Sequence, residues 1–392
     1  MTGGPTYAPE FLVTQGGHLH RALRRAGFET PAPVATSRAA VVFVVITWLP
    51  LLVLSLVEAP DIGTLSVPFL HDFSTGVRFL VALPLLIVAD SVLEPRLAAV
   101  SRHFAAAELV PAEEGPRFLG AIQRALWLRD ALLPQLVITA LAVGLSLAGF
   151  TSAVSPGVST WHAVITPSGL ERTWAGVVYD FFSLPLYRIV ILTWLWRYVI
   201  WTWFLWRSSR LSLRTVPSHP DLAGGLGFLG VGQAAWAILI LALSIASAGV
   251  VGMQAVHSEA SLASFYPLIG GYLACVLIVF LGPLFMFSPA LFRAKRRGLY
   301  RYAALGGGVS TGFERKWIES GGDGESLLGG ADISSLADLA GAFEVVRQMR
   351  PYPFDRRVVL ILGAAAVGPL LPLALIEYPI GQLLGDIVQL LL

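Results

Sequence analysis

The chain has 392 residues, of which 55% are hydrophobic and only 13% are charged, and its mean hydropathy is +0.71. A soluble domain carries about 25% charged residues, so this composition excludes a cytoplasmic enzyme and a disordered chain and indicates an integral membrane protein. The formal net charge is +2, and the single Cys275 excludes a disulfide framework and a thiolate metal cluster.

Long apolar stretches predict the membrane-spanning segments. A helix needs about 20 consecutive apolar residues to cross a bilayer core of about 30 Å. Six stretches satisfy this requirement: 39–57, 76–95, 131–151, 177–206, 227–252 and 264–290. A seventh runs from about 358 to 376, where Gly363, Gly368, Pro369 and Pro372 predict a kink.

The distribution of basic residues predicts the orientation of the chain. With the N-terminus inside, the inner segments hold 23 of the 27 Lys and Arg residues, whereas the outer loops hold one, Arg172. These inner segments are 1–38, 96–130, 207–226 and 291–357. Cytoplasmic loops carry such an excess of basic residues. We therefore predict an all-α membrane bundle of seven transmembrane helices, with the N-terminus inside and the C-terminus outside.

Two inner segments are predicted to contain helices. Segment 96–130 has Ala-, Leu- and Arg-rich stretches that favour an inner helical hairpin broken at Pro111. Segment 291–357 begins with a basic run, which suits an anionic inner leaflet, and then becomes a glycine-rich linker over 306–330. A short helix is predicted to follow and to end near Arg350.

The last inner segment and the C-terminal tail complete the predicted division of the chain. In the short helix of the last inner segment, Ser335 and Asp338 have the spacing of a capping box. The tail 380–392 is too short to cross a bilayer, so it lies along the outer interface, folds back into the bundle or continues the seventh span. The predicted units are 1–38, a cytoplasmic segment; 39–290, a six-span bundle; 291–357, a cytoplasmic segment; and 358–392, the seventh span with its tail.

A glycine-rich motif, Gly225-Leu-Gly227-Phe-Leu-Gly230, precedes the fifth span. Its spacing matches a dinucleotide-binding loop, but that loop requires a preceding strand and a soluble βαβ unit. Because a membrane span follows here, we interpret the motif mechanically. Asp221 is predicted to cap the helix N-terminus. Gly224, Gly227 and Gly230 are predicted to line a face that allows close helix packing.

Arg188 is the most informative charged residue, since it falls near the bilayer midplane if the fourth span begins at Val177. An arginine at that depth costs at least about 2.5 kcal/mol and should face protein or water. It is either an anion or substrate contact in a pore, or a structural residue in an ion pair or bonded to carbonyls near Pro185. Asp180 lies on the same helical strip, two turns outward, so it is not the expected direct partner.

Other charges near the span ends extend the set of candidates. Arg78 and Glu377 share a depth near the outer ends of the second and seventh spans, where they pair or only snorkel to the interface. Asp90 and Glu94 lie toward the inner end of the second span, where helix-end solvation and a proton relay are both open. The residues predicted to line a pore or bind substrate are Arg188, Asp180, Tyr187, Arg78 and Glu377.

Aromatic residues crowd the inner end of the fourth span and predict an interfacial aromatic belt, with a ligand cage as the minor alternative. They are Trp194, Trp196, Tyr198, Trp201, Trp203 and Trp206. No HExxH, CxxC or Walker motif occurs, and we predict no catalytic residue, metal or cofactor. The remaining metal hypothesis joins His71 and Asp72 to His257 and Glu259 in the outer loops.

Three sequence blocks in residues 207–392 resemble a family of uncharacterised bacterial polytopic inner-membrane proteins. They are Ser218-His-Pro-Asp-Leu-Ala-Gly-Gly-Leu-Gly-Phe-Leu229, Leu-Leu-Gly-Gly-Ala-Asp332-Ile-Ser-Ser-Leu-Ala-Asp338-Leu and Met349-Arg-Pro-Tyr-Pro-Phe-Asp355. The resemblance implies a bacterial membrane protein and no particular activity. A weaker, architectural likeness is to insect-type seven-span chemoreceptor channels, and it rests on fold-level analogy only.

These observations favour a homo-oligomeric channel or carrier for a small ion or solute, leaning anionic, with Arg188 on its path. The small-residue faces of the fifth and seventh spans are the expected subunit contacts. The alternatives are a membrane scaffold or signalling protein acting through 291–357, and an intramembrane lipid-modifying enzyme. We expect a multi-pass protein of the bacterial inner membrane whose partners are lipid and solute and not nucleic acid.

Overall fold

The computed structural model is 84% helical and has almost no sheet, which confirms the predicted all-α class. The residues that the structure describes are 11, 16, 33–62, 65, 67–152, 160–166, 169–257, 266–320 and 331–373. The predicted N-terminal segment therefore lies mostly outside the described residues. The tail 380–392 and Glu377 lie outside them entirely.

The chain folds into thirteen described α-helices, several of which continue into short π- or 3₁₀-turns. The first five are α1 (Pro33–Ile62), α2 (Phe73–Val77) with a π-turn (Arg78–Ala82), α3 (Leu83–Ala106), α4 (Gly115–Asp130) and α5 (Leu132–Ser152). The next three are α6 (Trp174–Val178) with a π-turn (Tyr179–Ser183), α7 (Leu184–Ser209) and α8 (Phe228–Ala234). The last five are α9 (Ala237–His257), α10 (Tyr266–Leu281) with a 3₁₀-turn (Gly282–Phe287), α11 (Ser288–Phe313) with a π-turn (Glu314–Glu319), α12 (Ala331–Gln348) and α13 (Arg356–Val367) with a 3₁₀-turn (Gly368–Leu373).

Among the described residues, six helical runs are long and apolar enough to cross a membrane. A seventh span is obtained if the bent pair Ala112–Asp130 and Leu132–Ala148, which meet at 43°, counts as one crossing. Each predicted stretch therefore corresponds to a helical run. The 3₁₀-turn that begins at Gly368 interrupts the last helix where the glycines and prolines predicted a kink.

A short antiparallel hairpin is the only sheet among the described residues. β1 (Ala163–Thr166) pairs with β2 (Gly169–Arg172), with Ala163 opposite Arg172. Thr173 follows directly and caps α6, because its hydroxyl accepts a hydrogen bond from the Gly176 N–H at 2.9 Å. The same hydroxyl donates to the Trp161 carbonyl at 2.6 Å, so the cap also ties the hairpin to the helix.

Prolines account for the irregular turns within the spans. Proline lacks an N–H and its ring clashes with the carbonyl four residues earlier. Pro84 and Pro185 each stand two residues after a π-turn, whose wider backbone accommodates that clash. Pro283 frees the Val279 carbonyl, and the Tyr198 hydroxyl donates to it at 2.7 Å.

Large aromatic side chains fill the core between α7, α8 and α9, which corrects part of the predicted belt. Trp194, Tyr198 and Trp201 are buried, and the rings of Trp194 and Tyr198 pack against the fully buried Trp236. Trp206 is the exposed member of the set, at 37%. The belt prediction was wrong for the buried residues because periodicity places three of them on the inward face of α7.

Two local predictions for the inner segment 291–357 were wrong. The glycines at 306, 307, 308 and 312 lie within α11 and do not form a linker. Similarly, α12 begins at Ala331, so Ser335 lies inside the helix and not at its N-cap. By contrast, the break between α3 and α4 falls around Pro111, as the sequence predicts.

Candidate functional site

A dense polar cluster surrounds the N-terminal ends of α2 and α6. The Asp180 side chain is 4% exposed, and its carboxylate accepts a hydrogen bond from Arg172 Nη1 at 2.5 Å. His162 Nε2 lies 3.4 Å from the other carboxylate oxygen, and His162 Nδ1 lies 3.0 Å from Arg172 Nη1. The hairpin thus brings an arginine and a histidine of the predicted outer loop onto Asp180. Asp180 does not pair with Arg188 at hydrogen-bond distance, as expected from its depth.

Arg78 adjoins this cluster through Tyr179, whose ring packs against His162, and the hydrogen-bond acceptors of Arg78 among the described residues are hydroxyl groups. It donates to the Tyr179 hydroxyl, and Nη2 lies 3.4 Å from the Ser74 hydroxyl oxygen. Its guanidinium carbon also lies 5.7 Å from the centre of the Tyr187 ring, in a cation–π contact. The predicted partner Glu377 lies outside the described residues.

Tyr187 presents a buried hydroxyl that lacks a hydrogen-bond partner among the described residues. The residue is 5% exposed, and its ring packs against Phe79 with centroids 5.9 Å apart. A buried donor without a partner costs about 1–3 kcal/mol, so such groups require an explanation. Tyr187, one of the predicted site residues, thus combines a buried hydroxyl, unpaired in the described part of the chain, with a ring that contacts the Arg78 guanidinium.

Arg188 points to the neighbouring helix α5. Its Nη1 donates to the buried Ser146 hydroxyl at 2.7 Å, and the residue is half-buried. Its acceptor is thus a serine hydroxyl, whereas a structural role predicted a carboxylate or the carbonyls near Pro185. Ser146 in turn donates to the Ala142 carbonyl at 2.9 Å, within its own helix.

The runs α2–α3 and α6–α7 are built alike. Each has a capped five-residue helix, a five-residue π-turn and a long helix that begins Leu-Pro-Leu, at 83–85 and 184–186. Arg78 and Tyr179 are the first residues of the two π-turns, and they are separated by 101 positions. The sequence carries this repetition in the paired Leu-Pro-Leu motifs, at a spacing far longer than common repeats.

The guanidinium groups of the bundle thus fall into two kinds. Arg172 and Arg197 contact carboxylates, on Asp180 and Asp90 respectively. Among the described residues, no carboxylate lies within 4.0 Å of the guanidinium of Arg78 or Arg188. The carboxylates of Asp72 and Asp180 act on Arg78 and Arg188, respectively, only through longer-range electrostatic interactions.

An ion pair that the sequence did not reveal joins α3 and α7. Arg197 Nη1 donates to Asp90 Oδ1 at 2.5 Å, and the Arg197 side chain is only 4% exposed. The guanidinium also lies 4.7 Å from the centre of the Trp194 ring. The pairing gives Asp90 a structural role. Both residues belong to span ends that the sequence predicts to be inner, and that shared predicted depth was the available signal for their contact.

Asp221 organises a loop before α8, which corrects its predicted role as a helix N-cap. Its carboxylate accepts backbone hydrogen bonds from Ala223 at 2.8 Å, Gly225 at 3.1 Å and Gly227 at 2.8 Å. Burial acts to raise the pKa of this carboxyl, but these donors and His219 together hold the pKa below its usual value. The loop is a tight turn and not a phosphate-binding site, because the carboxylate already occupies its N–H groups.

The glycines near this loop allow close packing, but they do not share one helix face. Gly224 lies in the loop with φ +63°, and a Cβ there would come within 2.9 Å of the Met349 side chain. Of the three predicted glycines, only Gly230 lies in α8, where a Cβ would come within 3.0 Å of the Pro353 carbonyl oxygen. Gly227 approaches the Asp221 side chain instead.

Arg350 links two of the sequence blocks by hydrogen bonds. Its Nη2 donates to the Asp221 carbonyl at 2.8 Å, and its Nη1 donates to the Phe354 carbonyl at 2.7 Å. Its backbone N–H also donates to the Leu222 carbonyl at 2.7 Å. The motifs around 218–229 and 349–355 therefore form one structural unit at the ends of α8 and α13.

An apolar cavity of about 510 Å³ lies between α2, α9 and the 3₁₀-turn after α13. Gly249 and Gly252 line it together with Pro369 and Leu373. A Cβ on Gly249 would come within 3.2 Å of Ser74 Cα, so this small-residue face packs within the chain. The glycines expected to form subunit contacts in the fifth span are thus already used internally at these positions.

No group of three or more potential metal ligands occurs among the described residues. Glu259, a member of the predicted metal hypothesis, lies outside those residues. No protein-family model, curated protein or solved structure matches this chain. Its class therefore follows from the fold, which is that of a multi-pass helical membrane protein.

Proposed function

We propose that this protein is a membrane channel or carrier for a small ion or solute, and that the solute is an anion. The observation that supports this most strongly is the pair Arg78 and Arg188. Both lie on broken membrane-spanning runs, and the contacts of both among the described residues are to uncharged groups.

The energetics of a charge in the membrane support an anionic solute. A guanidinium within a bundle must be compensated by protein groups, by water or by a ligand. Arg197 is compensated by a protein group, because the Asp90 carboxylate neutralises it. Arg78 and Arg188 lack such a partner among the described residues, so a passing anion supplies the missing charge and is favoured over a cation.

The phenol groups around Arg78 support the same proposal. Tyr179 accepts a hydrogen bond from Arg78, and the buried Tyr187 hydroxyl is a free donor among the described residues. A guanidinium and a hydroxyl donor are the groups that bind oxyanions and halides. Broken helices near such groups are a recurrent feature of transporter sites.

The proposal includes the orientation and the cellular setting. The distribution of basic residues supports an inner N-terminus, seven crossings and an outer C-terminus. The resemblance of the sequence blocks supports a bacterial inner membrane. Self-association is also part of the proposal, although the cavity-lining glycines of α9 pack within the chain.

Reconstituted liposomes test the proposal directly. Purified protein is assayed for chloride, nitrate and small carboxylate efflux, and for potassium efflux as the cation comparison. We expect anion flux in the wild type and a reduction of at least about tenfold in Arg78→Gln and Arg188→Gln, since each removes about 1.4 kcal/mol or more of anion attraction. Arg315→Gln, on the exposed π-turn after α11, is the matched control.

The outcomes separate the parts of the proposal. Unchanged anion flux in Arg188→Gln or Arg188→Ala removes that residue from the mechanism. Potassium flux that equals or exceeds anion flux overturns the anionic preference. Absence of flux for every solute in correctly folded, inserted protein overturns transport itself.

A scaffold or signalling role through 291–357 is the second candidate. The exposed apolar side chains Leu305, on α11, and Ile318, on the following π-turn, favour it, at 55% and 73% exposure. Because 306–319 is helical, deleting it would remove a structural element. The sharper test is a pull-down with Leu305→Gln and Ile318→Gln, where loss of a specific partner without loss of flux supports this role.

A further inference from the structure

The first half of α11 has two clearly different faces. Leu291, Ala294 and Gly298 are buried against the protein, and a Cβ on Gly298 would come within 2.6 Å of the Pro217 side chain. Lys295 joins this side, because its Nζ donates to the Met349 carbonyl at 2.7 Å. The orientation of α11 about its own axis is therefore determined by packing.

The opposite face carries arginines between aromatic rings. Its residues follow one another at helical spacing and are all exposed. They are Phe292, Arg293, Arg296, Arg297 and Tyr300. Among the described residues, none of these three arginines forms an ion pair with a carboxylate. We call this set the arginine–aromatic face.

Packing places the start of this face next to the membrane boundary. Phe285, in the 3₁₀-turn before α11, contacts the Phe354 ring with centroids 5.5 Å apart. Phe354 immediately precedes Asp355, whose side chain caps the final membrane-spanning helix at the Val358 N–H. Phe292 lies seven residues after Phe285, which is about 10 Å along a helix.

This position matches the headgroup layer of a bilayer. The polar layers on the two sides together add about 10–15 Å to a hydrocarbon core of about 30 Å. Arginine side chains reach several ångströms along the surface, and aromatic rings favour this layer. Arg356 and Arg357, exposed at the start of α13, add cationic groups at the same boundary.

We propose that the arginine–aromatic face binds the phosphate groups of anionic phospholipids, with Phe292 and Tyr300 inserted beside the headgroups. Charge complementarity identifies the occupant, because each exposed basic residue near a membrane surface attracts anionic lipid. The uncharged aromatic residues distinguish the face from a site for a soluble polyanion. The proposal is independent of the transport function.

A lipid titration tests the proposal on the full-length protein in detergent. Short-chain phosphatidylglycerol and phosphatidylcholine are each titrated, and bound lipid is counted by native mass spectrometry. We expect phosphatidylglycerol to bind preferentially and Arg293→Gln/Arg297→Gln to weaken its binding about 30-fold, from the attraction of two basic residues. Arg315→Gln/Arg347→Gln removes two exposed charges, one on the π-turn after α11 and one on α12, and should leave the affinity within about twofold.

Two further measurements separate the alternatives. Inorganic phosphate and a single-stranded oligonucleotide are tested as competitors, and neither should displace the lipid at an equal concentration. Effective displacement by either one overturns the lipid assignment. Equal weakening in both double variants overturns the role of this face. Circular dichroism and gel filtration verify folding, and the substitutions are at exposed positions.

Discussion

Arg78 donates a hydrogen bond to the hydroxyl of Tyr179, and both residues occupy the first position of a π-turn. The bond therefore joins equivalent points of two similarly built membrane-spanning runs. A shift of one run against the other must break or rearrange this contact. The stability of the protein and its proposed transport activity are for this reason expected to be coupled at Arg78.

The Arg78–Tyr179 bond itself can be tested by removing one hydroxyl. We expect Tyr179→Phe to lower the free energy of unfolding by about 1.5–3 kcal/mol, the usual range for a hydrogen bond to a charged group. Denaturant titration in detergent micelles measures this change. Tyr266→Phe, at an exposed position at the start of α10, is the control, and an equal effect in both variants would contradict the assignment.

The ion pair between Asp90 and Arg197 should show strong coupling. Breaking a buried pair leaves an uncompensated charge, so we expect Arg197→Met to cost about 3–5 kcal/mol. The double variant Arg197→Met/Asp90→Leu should recover most of this loss because it removes both charges. A double-mutant cycle in the same unfolding assay measures the coupling, and additive effects of the two changes would contradict it.

Gln233 connects three elements through its buried amide. It accepts a hydrogen bond from Trp201 Nε1 at 2.9 Å and donates to the Phe280 carbonyl at 2.5 Å. Gln233→Leu leaves both partners unsatisfied, so we expect a loss of about 2–4 kcal/mol. Gln348→Leu, on the exposed side of α12, should change the unfolding free energy by less than about 0.5 kcal/mol. Similar losses in the two variants would show that the buried amide is not required.

The pH dependence of stability should include a contribution from Asp221. Its pKa is lower in the folded protein than in the unfolded chain, where a carboxyl titrates near about 3.9. The stabilisation is therefore complete above that value and is lost as the pH falls through the folded-state pKa. Melting temperatures of the wild type and Asp221→Asn between pH 7 and pH 3 should converge at the acidic end, and a constant difference would contradict this.

Two glycines provide a matched test of close packing. A Cβ on Gly176 would come within 2.2 Å of the His162 carbonyl oxygen, whereas Gly120 in α4 has nothing within 4 Å of that position. We expect Gly176→Ala to destabilise the protein by about 1–3 kcal/mol through overpacking. Gly120→Ala should stabilise it by up to about 1 kcal/mol through helix propensity. Thermal unfolding of both variants measures the contrast, and equal effects would contradict the packing at Gly176.

The positions of the spans could be predicted because apolar length is a local property. Each predicted stretch overlaps a described helical run, and the prolines in the last run coincide with its change to a 3₁₀-turn. The bend between Asp130 and Leu132 was not predictable from hydropathy, since both halves of the bent pair pass the same length and composition test together. The glycine-rich part of α11 was also missed, because composition alone favours a linker.

The partners of the charged residues required the tertiary structure. Arg172 was assigned to an outer loop, and only the β-hairpin brings it to Asp180. Ser146 carries no charge, so no sequence pattern identified it as the acceptor for Arg188. Asp180, two turns away on the same helical strip, forms no ion pair with Arg188 among the described residues, as its predicted depth indicates.

The hydrogen bonds of Arg350 to the Asp221 loop can form only late in the synthesis of the chain. Its guanidinium bonds to the carbonyl of Asp221, a residue 129 positions earlier. At a synthesis rate of about 5–20 residues per second, roughly 6–26 seconds pass between the synthesis of Asp221 and that of Arg350. During that interval two membrane-spanning runs, Phe228–Ala255 and Tyr266–Glu319, are still being made or inserted, so the segments before α8 and α13 can pack together only when the synthesis of the chain is almost finished.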